Sequence, residues 1–412
     1  MADNKNILFI SYDGMTDPLG QSQVIPYLEG LTKEGYRFTI LSCDKPQKYK
    51  AHKAEVESLV KKIPINWVSL PYHKNPPVLS SVYDFFKMRQ KAIALHAQYK
   101  FDMVHTRPGV PQLIALYLKK KLGIKYLNDI RGFWADERVD GGMWNLKNPL
   151  YKMVYNFFRR KEDESVSIAD YNTCLTYKGK EEMLKWTTVP QPVKVDIVPC
   201  SVDLDLFSPD NINTAVKEQF KKELGISNSD FIISYLGSIG GWYLTNEMMH
   251  FCGMLLQKKP EAKFLFISNN NHHDITDAAK KFNIPEDKII VKFAGRNEVP
   301  VLLSFSAYSL FFIKPCYSKL SSSPTKHGEI MAMGIPVIAN SGVGDVKEII
   351  EKYEAGFVLD NFTPAEMGKI IDKAIDTKTK FDRNKIRDGA KDFYNLEKTV
   401  ATYKQVYKKI LG

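Results

Sequence analysis

The residue types best suited to chemistry lie between Ser321 and Glu329, where the sequence reads SSSPTKHGE. Ser323 is a good N-cap residue and Pro324 a good first helical residue, so we predict a helix that begins here and presents free backbone N–H groups. Such a helix end binds anions, phosphate above all. Lys326 would oppose the helix dipole unless an anion is bound, whereas Glu329 can accept hydrogen bonds from the hydroxyls of a ribose. The alternative is an ordinary capped helix whose Lys and Glu face solvent.

Two glycine-containing segments would let a ligand approach the backbone closely. One follows the first predicted strand, spans residues 11–22 and contains Gly14, Gly20 and Gln21. It is longer than an ordinary strand–helix loop, which favours a functional role over a simple connection. The other, Gly237–Tyr243, follows a predicted strand in the second half and holds three glycines and two aromatic residues. Neither segment matches G-x-G-x-x-G, which argues against a standard NAD site.

Two strands of the first half end in cationic or titratable side chains. His105 and Arg107 lie at the end of one predicted strand, and Arg131 follows the next. A guanidinium binds phosphate through two parallel hydrogen bonds, so both arginines suit a phosphorylated ligand. The alternatives are that Arg131 pairs with Asp129 or Glu137, and that His105 only packs in the core.

Short apolar runs alternate with longer amphipathic stretches along the whole chain. Asn6–Ser11 and Lys125–Ile130 are typical of buried strands in the first half, and Phe231–Leu236 of one in the second. This alternation predicts parallel sheets covered by helices, and its occurrence in two runs predicts two doubly wound α/β domains. Ligands bind such sheets beyond the carboxyl ends of the strands, where the candidate residues above are expected.

Composition narrows the class of protein. The chain has 412 residues, 44% hydrophobic and 25% charged, which excludes a disordered chain or a small disulfide scaffold. No apolar run approaches the length of a membrane-spanning helix. The five cysteines are scattered without a CxxC pair, and no His, Asp and Glu cluster has metal-ligand spacing, so we expect a reduced, cytoplasmic protein without a metal or cofactor.

The charge balance favours an anionic partner. The 58 Lys and Arg exceed the 47 Asp and Glu, which gives a net charge of +11. Nucleic acid, phospholipid and a phosphorylated substrate would all satisfy this excess. The basic residues are dispersed and no nucleic-acid recognition motif is present, so nucleic acid is not the expected partner.

Two further motifs resemble those of a known family. Val198–Asp203, followed by Phe207–Pro209, resembles the signature "PNGVD…F.P", and Glu329–Ile338 resembles "EAMA.G.PV". Over nearly its whole length the chain resembles retaining glycosyltransferases of family 4. The resemblance implies a GT-B fold, in which two doubly wound Rossmann-like domains face a central cleft and a C-terminal helix crosses back to the N-terminal domain.

The resemblance also implies a division of labour between the domains. The linker-like composition of residues 201–229 predicts a domain boundary there. The resemblance implies an acceptor-side domain of residues 1–205 and 395–412 and a donor-binding domain of residues 206–394. The implied donor is a nucleotide-sugar, with Glu329 on its ribose hydroxyls. The candidate donor-binding residues are Gly14, Gly20, Gln21, Gly237, Ser238, Gly240, Trp242, Ser321, Ser322, Ser323, Pro324, Thr325 and Glu329.

Three features depart from the family's pattern. Ser321 stands where the family has a second Glu, eight residues before Glu329. Ser238 and Tyr243 stand near the Arg and Lys of a "GR…KG" segment, and Arg131 stands where many members carry a His. The candidate catalytic residues, of which the first two would restore the lost positive charge, are Lys326, Arg296, His105 and Arg131.

These features predict a retaining, metal-independent glycosyltransferase. It would move a hexose-type sugar from a nucleotide-sugar, UDP favoured and GDP the second choice, to a saccharide or lipid-linked saccharide in cell-surface polysaccharide assembly. The cations and the helix end would stabilise the departing diphosphate. The alternatives are a nucleotide-sugar epimerase of the same fold and a non-catalytic sugar-nucleotide-binding protein.

A surface of the first domain is suited to a membrane. Lys45–Lys62 is strongly basic, and Tyr72–Tyr83 contains several apolar residues. Basic and apolar surface together suit peripheral contact with the anionic inner face of a cell membrane. The alternative is a solvated helix beside a loop that packs in the core.

Overall fold

Two parallel sheets hold the strands of the chain. The structure is a computed structural model that describes residues 5–268 and 270–412. The chain divides into two compact units. Unit 1 comprises Met1–Pro199, Leu320–Ser322 and Leu396–Gly412, and unit 2 comprises Cys200–Lys319 and Ser323–Asn395.

The sheet of unit 1 has seven parallel strands in the order β3-β2-β1-β4-β5-β6-β7. They are β1 (Lys5–Ser11), β2 (Tyr36–Asp44), β3 (Ile65–Pro71), β4 (Met103–Thr106), β5 (Lys125–Ile130), β6 (Tyr171–Cys174) and β7 (Val195–Ile197). The strand order reverses between β1 and β4, which is the point where open α/β sheets offer a crevice to a ligand.

Within the described residues of unit 1, nine helices cover the two faces of this sheet. They are α1 (Pro18–Gln23), α2 (Ile25–Thr32), α3 (Pro46–Val60), α4 (Leu79–Tyr99), α5 (Val110–Leu122), α6 (Trp134–Asp140), α7 (Pro149–Ile168), α8 (Tyr177–Met183) and α17 (Leu396–Leu411). Leu28, Val56 and Tyr403 bring α2, α3 and α17 onto one face of the sheet. Met88 and Ile114 bring α4 and α5 onto the opposite face. The C-terminal helix therefore packs on the first unit, as predicted.

Unit 2 repeats the architecture with six parallel strands in the order β10-β9-β8-β11-β12-β13. They are β8 (Phe231–Leu236), β9 (Ala262–Ile267), β10 (Ile289–Lys292), β11 (Tyr308–Phe311), β12 (Val337–Asn340) and β13 (Gly356–Leu359). The helices are α9 (Thr214–Glu223), α10 (Thr245–Lys258), α11 (His272–Lys280), α12 (Val299–Leu303), α13 (Thr325–Ala332), α14 (Val346–Tyr353), α15 (Pro364–Ile375) and α16 (Arg383–Phe393).

Local sequence predicts most of these elements, with one clear difference in the first loop. Gln21–Glu34 is expected to form one helix, but the structure has two short helices, α1 and α2. The break falls at Val24, whose φ of −116° lies outside the usual helical range although its ψ of −63° is helical. Pro26 follows at the second position of α2, where its missing N–H costs nothing at a helix start but would interrupt a continuous helix.

The described helices are all too short or too polar to cross a lipid bilayer.

Candidate functional site

A buried lysine lies over the glycine loop at the carboxyl end of β8. Lys326 is the second residue of α13, and only 8% of it is exposed. Its Nζ lies 3.4 Å from the hydroxyl oxygen of Tyr235 and 3.8 Å from the ring centroid of Tyr243. A Cβ placed on Gly237 would come within 2.8 Å of the same Nζ, and the φ of +119° at this position favours glycine. The ammonium therefore occupies the loop from which the family's usual cations are missing.

Burial changes the protonation of this lysine. It lowers the pKa of Lys326 to about 7, and the nearby charge of Glu329 only partly opposes the effect. The protein thus holds a cation that is only partly charged at neutral pH when no ligand is bound. An anion at this position would restore the full charge, because an opposite charge favours the protonated amine.

The start of α13 differs from the sequence prediction. The helix begins at Thr325, with Pro324 in the N-cap position, and no side chain caps it within the described residues. The predicted cap, Ser323, instead accepts a hydrogen bond through its hydroxyl from the Cys200 N–H at 3.4 Å. The prediction that Ser323 caps the helix is therefore wrong. The first amides of α13 have no side-chain acceptor, which leaves them suited to an anion.

Two predicted site residues are paired with each other. Arg296 donates a hydrogen bond from Nη1 to Oε1 of Glu329 at 2.8 Å. The Glu329 side chain is 8% exposed, whereas that of Arg296 is 44% exposed and lies against Phe207. The carboxylate is thus fixed on the same helix as Lys326, one turn further along. Arg296 in this arrangement orients Glu329.

The loop after β8 is tightly held although it contains three glycines. Ile239 donates its backbone N–H to Oδ1 of Asn270, and Gly240 donates to Oγ1 of Thr245, both at 2.9 Å. Lys314 donates its N–H to the carbonyl of Trp242 at 2.8 Å. Of the donor-binding candidates in this loop, Gly237 lies against the Lys326 ammonium. The ring of Trp242 instead faces the Nζ of Lys319, 3.8 Å from the ring centroid. Contact of Ser238 and Gly240 with a donor stays a prediction.

The glycines of the first loop have a packing role in unit 1. A Cβ on Gly14 would lie 2.4 Å from Oδ1 of Asp44, and a Cβ on Gly20 would lie 2.6 Å from the Met15 Cα. Both glycines are buried, whereas Gln21 is half-buried. The two glycines are thus required by close packing, and contact of this loop with a donor stays a prediction.

The structure places His105 and Arg131 in a polar network inside unit 1. His105 has no exposed surface, its Nδ1 lies 2.8 Å from the Tyr407 hydroxyl, and its Nε2 lies 3.5 Å from Asp129. Burial lowers the pKa of His105. Arg131 donates to the carbonyl of Val198 at 3.0 Å and is 11% exposed. A fully buried imidazole does not reach a substrate, so the structure corrects the catalytic assignment of His105.

The serines before α13 differ in their surroundings. Ser321 is fully buried, and its Oγ has no hydrogen-bond partner within the described residues. A Cβ on Gly179 would lie 2.9 Å from that Oγ, so Ser321 packs closely against the backbone of α8. This corrects the placing of Ser321 at a donor, whereas Ser322 and Thr325 are half-buried beside the helix start.

Sequence reasoning did not identify the two tyrosines that hold the ammonium. Tyr235 lies inside β8 and is typical of a core strand residue, although its hydroxyl donates to the Ser238 carbonyl. The sequence places Tyr243 in the glycine segment and near a lysine of the family's pattern, but gives no sign of its contact with an ammonium. The residues suited to a nucleotide are thus on α13 and the β8 loop. Across residues 5–268 and 270–412, no group of three or more His, Cys, Asp and Glu side chains could hold a metal ion.

The fold and this site define a class of protein. Residues 216–393 match the family described as Glycosyl transferases group 1. The second unit therefore carries a glycosyl transferases group 1 domain, and the two Rossmann-like halves confirm the predicted GT-B fold.

Three known proteins are similar to this chain, one in sequence and two in structure. The Escherichia coli protein named UDP-Gal:alpha-D-GlcNAc-diphosphoundecaprenol alpha-1,3-galactosyltransferase is 23% identical over 344 residues, which are 80% of this chain and 79% of the relative. The structure is similar to sucrose-phosphate synthase from Thermosynechococcus elongatus, with a TM-score of 0.73, 15% identity and 98% of each chain covered. It is also similar to Anabaena Alr3699/HepE in complex with UDP and glucose, with a TM-score of 0.68, 12% identity, and 98% and 99% of the two chains covered.

Proposed function

We propose that this protein is a retaining, metal-independent glycosyltransferase that transfers a hexose from a UDP-sugar to a lipid-linked saccharide in cell-surface polysaccharide assembly. The observation that carries the proposal is the Lys326 ammonium over the β8 loop, on the helix that also bears Glu329. The Escherichia coli relative is named for a UDP-galactose donor and a diphosphoundecaprenol-linked acceptor, which supports the choice of donor and acceptor class.

The residues of unit 2 would stabilise the leaving group. The charge of Lys326 and the first amides of α13 bind the diphosphate, and this interaction strengthens as the sugar–phosphate bond breaks and charge develops on the phosphate oxygen. Glu329, held by Arg296, accepts hydrogen bonds from the ribose hydroxyls. The acceptor hydroxyl attacks on the face from which the diphosphate departs, and a phosphate oxygen takes its proton. Retention then needs no carboxylate base.

The first test measures binding and product together. Calorimetry with UDP and GDP, each with EDTA or Mg²⁺, is expected to show UDP binding that does not change with the metal. Transfer from UDP-galactose or UDP-glucose to a diphospholipid-linked saccharide is expected to give an α-linked product by NMR. Absence of nucleotide binding would overturn the proposal, and binding without transfer to any acceptor would favour the non-catalytic alternative.

The epimerase alternative is separated by leaving out the acceptor. An epimerase converts the nucleotide-sugar alone into its stereoisomer, whereas a transferase leaves it intact or hydrolyses it slowly. NMR of UDP-N-acetylglucosamine and UDP-galactose incubated with the protein is expected to show no new nucleotide-sugar. A new stereoisomer would replace the transferase proposal.

UDP binding is expected to weaken as the pH rises above 7. Burial lowers the pKa of Lys326 to about 7, so the free protein loses the ammonium charge above that pH, whereas a bound diphosphate raises the pKa again. Binding then takes up a proton, and the dissociation constant should grow by up to about tenfold per pH unit above 7. Calorimetry from neutral to alkaline pH checks this, and Lys326→Met should abolish the slope. A UDP affinity independent of pH would contradict the role of Lys326.

A further inference from the structure

Unit 1 exposes two stripes of large apolar side chains. The α4 stripe consists of Leu79, Val82, Tyr83 and Phe86, and the α7 stripe consists of Leu150, Met153 and Phe157. Leu79 is 67% exposed and Met153 is 62% exposed, and every other member is more than 40% exposed. The members repeat every three or four residues, so each set lies along one side of its helix. Isolated exposed apolar residues are common, but two such stripes mark an interaction surface.

Both stripes belong to the same layer of helices. Helix α5 packs against α4 on one side and α7 on the other. The Arg89 guanidinium of α4 lies 5.2 Å from the Tyr117 ring of α5, and Lys120 of α5 pairs with Glu164 of α7. Each of the two outer helices precedes a parallel strand and runs back toward the sheet's amino edge. Their first turns, which carry the stripes, therefore lie toward the carboxyl edge.

Positive charge borders the apolar side chains. A groove of about 770 Å³ runs along α7 and is lined by Lys152, Met153, Phe157 and Arg160, among others. Lys152 and Arg160 make no ion pair within the described residues, whereas the one carboxylate of the groove, Glu164, is paired with lysines. Lys87 is exposed beside the α4 stripe. The surface is thus apolar in its centre and basic around it.

The structure separates the two parts of the membrane surface expected from the sequence. Helix α3, which carries most of the basic segment Lys45–Lys62, packs through Val56 and Val60 on the face of the sheet that holds α2 and α17. Helix α4 packs on the other face. Lys45 and Lys48 are also paired with Asp17. The α4 stripe therefore shares its face of the sheet with the α7 stripe and not with the basic helix α3.

We propose that the α4 and α7 stripes form one docking face for an anionic lipid bilayer. The apolar side chains would enter the interface between headgroups and acyl chains while the bordering Lys and Arg contact the anionic headgroups. A second copy of the chain is the less suitable occupant, because it would bring the same unpaired cations together. This docking face rests on the proposed function, because its role would be to bring unit 1 to a lipid-linked acceptor.

Vesicle binding tests this face. The full chain is expected to co-sediment with phosphatidylcholine vesicles that contain phosphatidylglycerol, and far less with phosphatidylcholine alone. Met153→Glu with Phe157→Glu, and separately Leu79→Glu with Phe86→Glu, should each weaken binding by about tenfold or more. Leu59→Glu on α3 is the matched control, because Leu59 is also exposed and lies on a helix of the opposite face. It should leave vesicle binding unchanged.

Three results would overturn the docking face. They are no binding to anionic vesicles at low salt, equal loss in the Leu59→Glu control, and no loss in either double variant. Sedimentation velocity tests whether a second copy of the chain covers this face instead. If the unchanged chain is a dimer and the Met153→Glu with Phe157→Glu variant is a monomer, the face is a dimer interface.

Calorimetry of UDP on the same samples keeps this proposal separate from the proposed function. The double variants are expected to bind UDP as tightly as the unchanged chain, because the donor residues lie in unit 2. Vesicle binding without UDP binding would leave the docking face standing while the proposed function falls. UDP binding and sugar transfer without vesicle binding would support the proposed function and overturn the docking face.

Discussion

Lys326→Met is expected to lower kcat/KM for the UDP-sugar donor by about 10²–10³-fold. The ammonium lies within 3.4 Å of the Tyr235 hydroxyl and 3.8 Å of the Tyr243 ring centroid, over a loop whose backbone at position 237 favours glycine. A departing diphosphate placed there would gain a full positive charge in a partly dry environment. Methionine keeps the apolar volume and removes only that charge, so kinetics with UDP-galactose measure the electrostatic contribution.

The same substitution is expected to stabilise the protein without ligand. Burial lowers the pKa of Lys326 from 10.5 to about 7, so the unfolded chain binds a proton that the folded chain does not between those values. Stability therefore rises with pH across that window, and the full penalty for the buried cation is present below pH 7. At pH 7 or below, Lys326→Met should raise the free energy of unfolding by on the order of 2 kcal/mol.

Opposite signs for activity and stability would distinguish a binding residue from a structural one. Lys347→Met is the matched control, because it makes the same change on α14 of the same unit at a half-exposed lysine paired with Asp360. The control should change neither UDP affinity nor turnover. If Lys326→Met kept normal turnover and donor affinity, Lys326 would have no role at the diphosphate. If the variant lost stability but still bound UDP normally, Lys326 would be a packing residue.

The elements of both sheets could be predicted because their signals are local. Phe231–Leu236 is a largely apolar run, and Lys125–Ile130 lies between Gly123 and Gly132; the structure gives β8 and β5 these bounds. Lys326 and Glu329 were found for the same reason, since the signals for a helix start lie within a few residues. The break at Val24 was missed because a single non-helical residue between two apolar stretches leaves the helical pattern intact.

What sequence reasoning missed depends on contacts between distant segments. Tyr235 lies about ninety residues before Lys326, and a tyrosine in an apolar strand gives no sign that its hydroxyl will face an ammonium. His105 lies at a strand end, where ligands bind, yet Tyr403 and Tyr407 of α17 cover it. Burial by a helix some three hundred residues away cannot be deduced from the spacing of residues near the strand.

Asp129→Asn is expected to be among the most destabilising single changes in unit 1, at about 3–5 kcal/mol. The carboxylate is fully buried and accepts hydrogen bonds from the hydroxyls of Tyr403 at 3.0 Å and Thr173 at 2.9 Å. Arg107 and Arg131 lie 3.7 and 3.9 Å away. Removing the negative charge would take this compensating charge away from both guanidinium groups, in a site that is largely closed to water.

The pH dependence follows from the same geometry. Burial by itself raises the pKa of Asp129, but the charges of Arg131 and Arg107 and the neighbouring His105 imidazole outweigh it and hold the pKa below its ordinary value of 3.8. A carboxyl with a lower pKa in the folded state stabilises the protein above the unfolded value and loses that contribution as the pH falls through the folded one. The difference between the unchanged protein and Asp129→Asn should therefore narrow below about pH 4.

Urea unfolding followed by tryptophan fluorescence measures this effect in the right unit, because four of the five tryptophans belong to unit 1: Trp67, Trp134, Trp144 and Trp186. Thr173→Val is the matched control, since it removes one hydrogen bond to the same carboxylate and should cost only about 1 kcal/mol. Equal effects of the two variants would show that the charge of Asp129 is not what holds the arginines and α17 together. UDP affinity should be unchanged in both variants, because the residues proposed to bind the diphosphate belong to unit 2. Unchanged UDP affinity would show that the variants weaken the attachment of α17 to unit 1 and leave the donor site intact.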